Sequence, residues 1–299
     1  ENDGREGAQE LSARGTMNPQ LHYTPQQQMG YGGYTVPCRI GNWAEDEYLG
    51  VLNTADHIAK SSANGLTTQK LGDLISRAIA PATLTVPPAD GFVHFGDTIM
   101  LSGAQGGVLA LNAYKKVDST MEGYVVTRTN DAGAVPCTRT CWIVTPVGEA
   151  PADGLLRVGM RFYLKSECDE GPMYLQSLRY CLTNGSFSAG TTGAQRKSGC
   201  CAVKAPSADT AWEVVVLEPA ELAQFESEGK PVLANTFVAL KHCSSQANLS
   251  SDSTQVLTKF GAEYEITTFT DAPLTKSEWG KRNATLVGVT NHWAFTTSA

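Results

Sequence analysis

Gly96-Asp97-Thr98-Ile99-Met100-Leu101 recurs in altered form as Gly159-Met160-Arg161-Phe162-Tyr163-Leu164 and again as Asn235-Thr236-Phe237-Val238-Ala239-Leu240. Each copy reads small residue, two free positions, an apolar residue, one free position, leucine. Ile99 with Leu101, Phe162 with Leu164 and Val238 with Leu240 lie two apart, so in a strand each pair faces one way. Gly at the head, or Asn in its place, suits a positive φ where a turn hands over to a strand. A second leucine signal follows each copy, at Leu109, Leu175 and Leu249. A tryptophan strand closes each: Trp142-Ile143-Val144, Trp212-Glu213-Val214 and Trp293-Ala294-Phe295.

Room for one more strand remains in each unit, at Tyr124 to Thr127, Cys201 to Lys204 and Tyr264 to Thr267. Four strands in each of three units predict a mainly β chain with a β-trefoil-like core, because self-similarity at a long period points to a repeated architecture. One unit cannot bury its own apolar face, whereas three close a barrel and remove exposed edges. The rest of the 299 residues then divides into an extended tail (1–36), a helical arm (37–82) and the β domain (83–299).

The tail is rich in Gly and Gln and buries too little apolar surface to offset its chain entropy. It is expected to be disordered alone and to become ordered against neighbouring chains. Its charges, Arg5 and Arg14 against Glu1, Asp3, Glu6 and Glu10, leave shape and aromatic anchors such as Tyr23, Tyr31 and Tyr34 to supply affinity. In the arm, Asn42 reads as an N-cap, with Glu45, Asp46 and Glu47 where the helix dipole favours negative charge. That helix is expected to run to about Ile58, with Tyr48, Leu52 and Ala55 on one side. A second, from Thr67 to Ile79, carries Leu71, Leu74, Ile75 and Ala78 at helical spacing and stops before Pro81. Trp43 needs a surface to bury against, so the arm is expected to dock on the β domain. Leu84 to Val86 and Phe92 to His94 read as strands leading into the first repeat. Ser102 to Gly107, Pro146 to Gly154 and Pro206 to Asp209 read as loops, and a short helix fits within Glu218 to Glu228.

Apolar residues make up 41% of the chain, enough for a core. The net charge of −7 offers no basic field for nucleic acid or an anionic membrane surface. No apolar run reaches transmembrane length and no signal-peptide pattern opens the chain. Glu1 stands where an initiator Met is absent, so residues upstream are expected. Eight cysteines (38, 137, 141, 168, 181, 200, 201, 243) lack zinc-finger spacing. They read as reduced, mostly buried thiols in a cytosolic compartment, and the sequons at Asn184, Asn248 and Asn283 would matter only in a secreted protein.

Catalytic motifs do not emerge. Ser102 to Gly107 is glycine-rich but lacks a following Lys-Ser/Thr. Gly185 to Gly190 misses the nucleophile-elbow spacing by one residue. His242 and Cys243 diverge on a strand, and His94 and His292 read as buried structural imidazoles. No catalytic residue, cofactor or metal ligand is predicted. A carbohydrate-binding, lectin-like β-trefoil module is the alternative, but lectin sites usually repeat an Asp, and here Asp97 aligns with Met160 and Thr236.

Arg39-Ile40-Gly41-Asn42-Trp43 with the acidic residues and Tyr48-Leu49 after it is a distinctive string. So are His94-Phe95-Gly96-Asp97-Thr98-Ile99-Met100-Leu101, Lys241-His242-Cys243, Phe260-Gly261-Ala262-Glu263-Tyr264 and Asn291-His292-Trp293. In that order, over residues 37 to 297, they resemble the cilia- and flagella-associated protein 161 family. The resemblance implies a non-enzymatic microtubule inner protein in the lumen of the axonemal doublet, hence in the cytoskeleton of the cilium or flagellum. Its implied partners are tubulin and other microtubule inner proteins, with no nucleic acid and no membrane. It also implies a core related to the trefoil of mannosyltransferase-type modules. Tyr23, Tyr31, Tyr34, Arg39, Asn42 and Trp43 are the candidate partner contacts.

Overall fold

Three backbone hydrogen bonds closing on themselves mark the axis of the β domain. Val93 N–H donates to Val232 O, Val232 N–H to Leu156 O, and Leu156 N–H to Val93 O, each at 2.9 Å. Each of these residues stands three positions before the head of one repeat, so the three units meet in register at one end of the barrel. The computed structural model that shows this describes residues 43–85, 90–117, 123–130, 135–177, 198–217, 221–271 and 287–297. The chain divides into two compact units, residues 1–70 and 71–299.

In the first unit, α1 (Trp43–Ser62) runs four residues beyond the expected end at Ile58. It stops in a Schellman motif: Asn64 adopts φ 51°, Gly65 N–H donates to Lys60 O at 2.7 Å and Asn64 N–H to Ser61 O at 3.4 Å. α2 (Thr67–Ala78) begins just after and carries into the second unit. Of its expected apolar face, Ala78 is buried and Leu71, Leu74 and Ile75 are half-buried. Its C-terminal end is tied to the first repeat by Arg139 N–H donating to Ala78 O at 3.1 Å.

The strands of the second unit are β1 (Thr98–Gly103), β2 (Leu109–Lys116), β3 (Tyr124–Arg128) and β4 (Cys141–Pro146) in the first repeat. The second repeat has β5 (Arg161–Cys168), β6 (Gly171–Ser177), β7 (Ser198–Val203) and β8 (Trp212–Val215). The third has β9 (Phe237–His242), β10 (Leu249–Thr258), β11 (Gly261–Thr268) and β12 (Trp293–Thr296), with α3 (Glu221–Ser227) inserted before it. Antiparallel pairs β1–β4, β4–β5, β5–β8, β8–β9, β9–β12 and β12–β1 form a closed ring. Hairpins β2–β3, β6–β7 and β10–β11 stand at the other end, and β3, β7 and β11 pair with one another in a triangle. The fold is mainly β, and its strands pair as three four-strand units.

The heads of the repeats carry the backbone the sequence asks for: φ is 95° at Gly96, 80° at Gly159 and 58° at Asn235. Their amides donate to Val144 O, Val214 O and Phe295 O at 2.7, 3.1 and 2.9 Å. Ile99, Leu101, Phe162, Leu164, Val238 and Leu240 share one buried cluster with Trp142, Trp212 and Trp293. Two expected strands are absent as such. Phe92 and His94 form only isolated bridges, to Leu233 and Leu155, because this segment belongs to the three-way junction. Residues 82–85 run irregularly along β1, where Thr85 N–H donates to Thr98 O at 2.9 Å, and Val86 lies outside the described residues. Pro206 to Asp209 is a loop that turns into a single 3-10 turn, Ala208–Thr210.

Candidate partner-binding surface

Among the described residues, a run of unburied apolar side chains lies on α1. Tyr48, Leu49, Val51, Leu52 and Ile58 are all exposed, between 45% and 65% of their full surface. Tyr48, Val51, Leu52, Ala55 and Ile58 recur at helical spacing, so they form one stripe. The helix around them is built to stand: Lys60 Nζ pairs with Asp56 Oδ2 at 2.6 Å, one turn apart, and Gln69 Nε2–H donates to Ser61 O at 3.0 Å. A contiguous exposed stripe of this kind is a candidate interaction surface. Leu49, Val51 and Ile58 were not picked out from the sequence, although the 3.6-residue period that placed Tyr48 and Leu52 also carries Val51 and Ile58.

Among the other expected contacts, Tyr23, Tyr31, Tyr34, Arg39 and Asn42 lie outside the described residues, and Trp43 opens α1. A second, smaller surface sits beside α3. There Phe225, 73% exposed, flanks a groove of about 540 Å3 floored by Val158, Val215 and Val216. Lys241 and Glu213 pair at 2.9 Å at its edge.

The histidines of the β domain are committed to the backbone. His242 is buried against Trp212, with ring centroids 4.9 Å apart. Its Nε2–H donates to Asp209 O at 2.8 Å, which leaves Nδ1 to accept from Ser245 Oγ at 2.8 Å. His94 Nδ1–H donates to Phe92 O at 3.2 Å and His292 Nε2–H to Val287 O at 3.0 Å. Those two are half-buried rather than buried as expected, and His242 is the fully enclosed imidazole.

Among the described residues, one ion pair is almost fully enclosed. Arg139 Nη2–H donates to Glu263 Oε1 at 2.7 Å, while Thr127 and Thr258 hydroxyls donate to Oε2 at 2.7 and 3.1 Å. The guanidinium also stacks 3.8 Å from the Phe260 ring centroid. It fastens the first repeat to the third. Of the cysteines, 137, 141, 168, 200, 201 and 243 are free thiols; Cys141, Cys200 and Cys201 are buried, and Cys38 and Cys181 lie outside the described residues. Burial pushes the thiols of Cys141 and Cys201 up to about 11 and that of Cys200 well above its ordinary value. Among the described residues, no group of three His, Cys, Asp or Glu side chains is placed to hold a metal ion.

The protein of Danio rerio called cilia- and flagella-associated protein 161 is 28% identical over 287 residues, covering 89% of this chain and 88% of its own. That of Bos taurus is 26% identical and covers 89% and 83%. A Caenorhabditis elegans protein of unknown function superposes with a TM-score of 0.48 at 13% identity, over 70% of this chain and 98% of its own. The profile of the cilia- and flagella-associated protein 161-like domain matches residues 74–287, from within α2 to just before β12, the last strand of the third repeat. The chain belongs to the cilia- and flagella-associated protein 161-like family.

Proposed function

We propose that this chain is a non-enzymatic structural protein of ciliary and flagellar doublet microtubules. It sits on their luminal face, bound to tubulin and to other microtubule inner proteins, and stabilises the axoneme for motility. The observation that carries this reading is the family match over residues 74–287, with relatives named for cilia and flagella. The exposed stripe of α1 supports it, because a protein held among neighbours presents apolar surface that a free one covers. So does the commitment of His94, His242 and His292 to backbone carbonyls, which is structural work rather than proton transfer.

With a net charge of −7, attraction to the acidic surface of tubulin does not drive the binding. Apolar contact and hydrogen bonding supply it, and salt screens neither strongly. The test is extraction: axonemes bearing the tagged chain are washed in rising salt, with doublet integrity followed by electron microscopy. Retention until the doublets themselves come apart is expected. Full release at moderate ionic strength from intact doublets would overturn the proposal.

A further inference from the structure

The triangle of returning strands has a flaw in its three-fold symmetry, and a pocket lies at that flaw. Across the triangle, Val125 pairs with Cys201, Gly199 with Thr267, and Glu265 with Thr127. Val125, Gly199 and Glu265 are therefore the same position in the three repeats, and all three line one cavity of about 240 Å3. So do their chain neighbours Val126, Cys200 and Ile266, which belong to the buried core. Side chains from two repeats reach this position, but Gly199 supplies none. Facing Gly199, Thr267 is completely buried and its hydroxyl has no hydrogen-bond partner among the described residues.

Close packing at an axis requires three side chains where three strands meet, and a missing one leaves a void with unanswered contacts. Gly199 is not among the residues with positive φ and it sits in a strand, so backbone geometry does not demand glycine there. What glycine provides is space. An apolar cavity of roughly 150 Å3 accepts benzene, whereas pockets for drug-sized ligands run to about 300–1,000 Å3. The volume on the axis falls between the two. Lys115 and Glu265 both line the cavity and bring one charge of each sign, so they select neither an anion nor a cation.

We propose that this axial pocket is a binding site for a single compact, neutral aromatic ring, and that Gly199 is the residue that keeps it open. The ring has two possible sources, a free small molecule or the side chain of a neighbouring protein, and the chemistry of recognition is the same for both. The inference is independent of the proposed function.

The full chain is titrated with p-cresol and, in a second arm, with N-acetyl-tyrosine amide, while methyl resonances are followed by NMR. Saturable shifts of the Val126 and Ile266 methyls, with cross-peaks to the cresol ring, are expected. Gly199→Val, which restores the side chain found at Val125, should weaken p-cresol binding by about tenfold or more, and Gly199→Ala by less. Binding of the capped tyrosine as well assigns the site to a protein side chain; binding of p-cresol alone assigns it to a free molecule. Absence of saturable binding, or cross-peaks to other methyls only, overturns the proposal. So does undiminished binding by a folded Gly199→Val. The cross-peaks on the wild-type chain decide the matter even where that variant fails to fold.

Discussion

Trp212 Nε1–H donates to Leu175 O at 2.9 Å, and the contact is made three times over. Trp142 donates to Leu109 O at 3.2 Å and Trp293 to Leu249 O at 3.0 Å. Each bond joins the last strand of a repeat to its second, so it closes the repeat on itself. All three indoles are fully enclosed, and a buried indole N–H needs such an acceptor. Trp212→Phe keeps most of the apolar volume and deletes the donor. A loss of about 1–3 kcal/mol is expected, read as a lower urea midpoint at unchanged slope. A midpoint matching the wild type would mean that the bond contributes nothing net.

The positive φ at the three heads predicts unequal tolerance. Gly96 is at 95° with open space where a Cβ would stand, so Gly96→Ala meets backbone strain and no clash. Its cost should be about 1–3 kcal/mol. Asn235 is at 58° in the left-handed helical region, which glycine enters freely and valine does not. Asn235→Gly should leave the thermal midpoint close to wild type, and Asn235→Val should lower it. Equal effects of the two substitutions would show that conformation at this turn does not matter.

These heads explain why so much of the barrel was legible in the sequence. A turn needing positive φ, an alternating apolar pair and a tryptophan with a fixed partner are local demands, and each leaves a residue-type signature. The junction of Val93, Leu156 and Val232 leaves almost none, because its bonds are backbone to backbone and any apolar residue serves. Hence Phe92 to His94 read as a strand. The enclosed pair of Arg139 and Glu263 is invisible for another reason: its members stand 124 residues apart and nothing local joins them. The stripe of α1 was half legible. Its spacing predicts an apolar face at Tyr48 and Leu52, but whether a face is covered depends on neighbours that a sequence does not name.

The Arg139–Glu263 pair makes its own prediction. Both side chains are nearly inaccessible, at 7% and 4%, so removing one charge strands the other away from water. Glu263→Leu should cost about 3–5 kcal/mol. Arg139→Leu with Glu263→Leu removes both charges and should cost less than the single change. Denaturant melts of the two variants decide it, and a double variant no more stable than Glu263→Leu alone would refute the reading.

Stability at alkaline pH follows from the buried thiols. Burial raises Cys201 to about 11, and burial together with the nearby Cys137 raises Cys141 to about 11, against an ordinary thiol value of 9.0. The folded chain therefore holds these protons after the unfolded chain has begun to release them. The contribution is fully present below about pH 9 and is lost as pH rises toward 11. The urea midpoint should fall across that window, and the fall should be shallower in Cys141→Ala with Cys201→Ala. An equal slope in the double variant would place the alkaline transition elsewhere.

The last prediction ties α1 to the proposed place in the axoneme. Leu52 and Ile58 are 45% and 64% exposed, so neither contributes much to the fold. Glutamine matches leucine in helix propensity, so Leu52→Gln with Ile58→Gln changes the stripe without weakening the helix. Helicity by circular dichroism should be unchanged, and stability should move by no more than about 0.5 kcal/mol. Binding to a partner, by contrast, loses two apolar anchors that are buried only in the complex. In ciliated cells expressing the tagged variant, the share retained on salt-washed axonemes should drop well below that of the wild-type chain. A variant that is folded and fully retained would show that α1 is not the surface by which this protein is held.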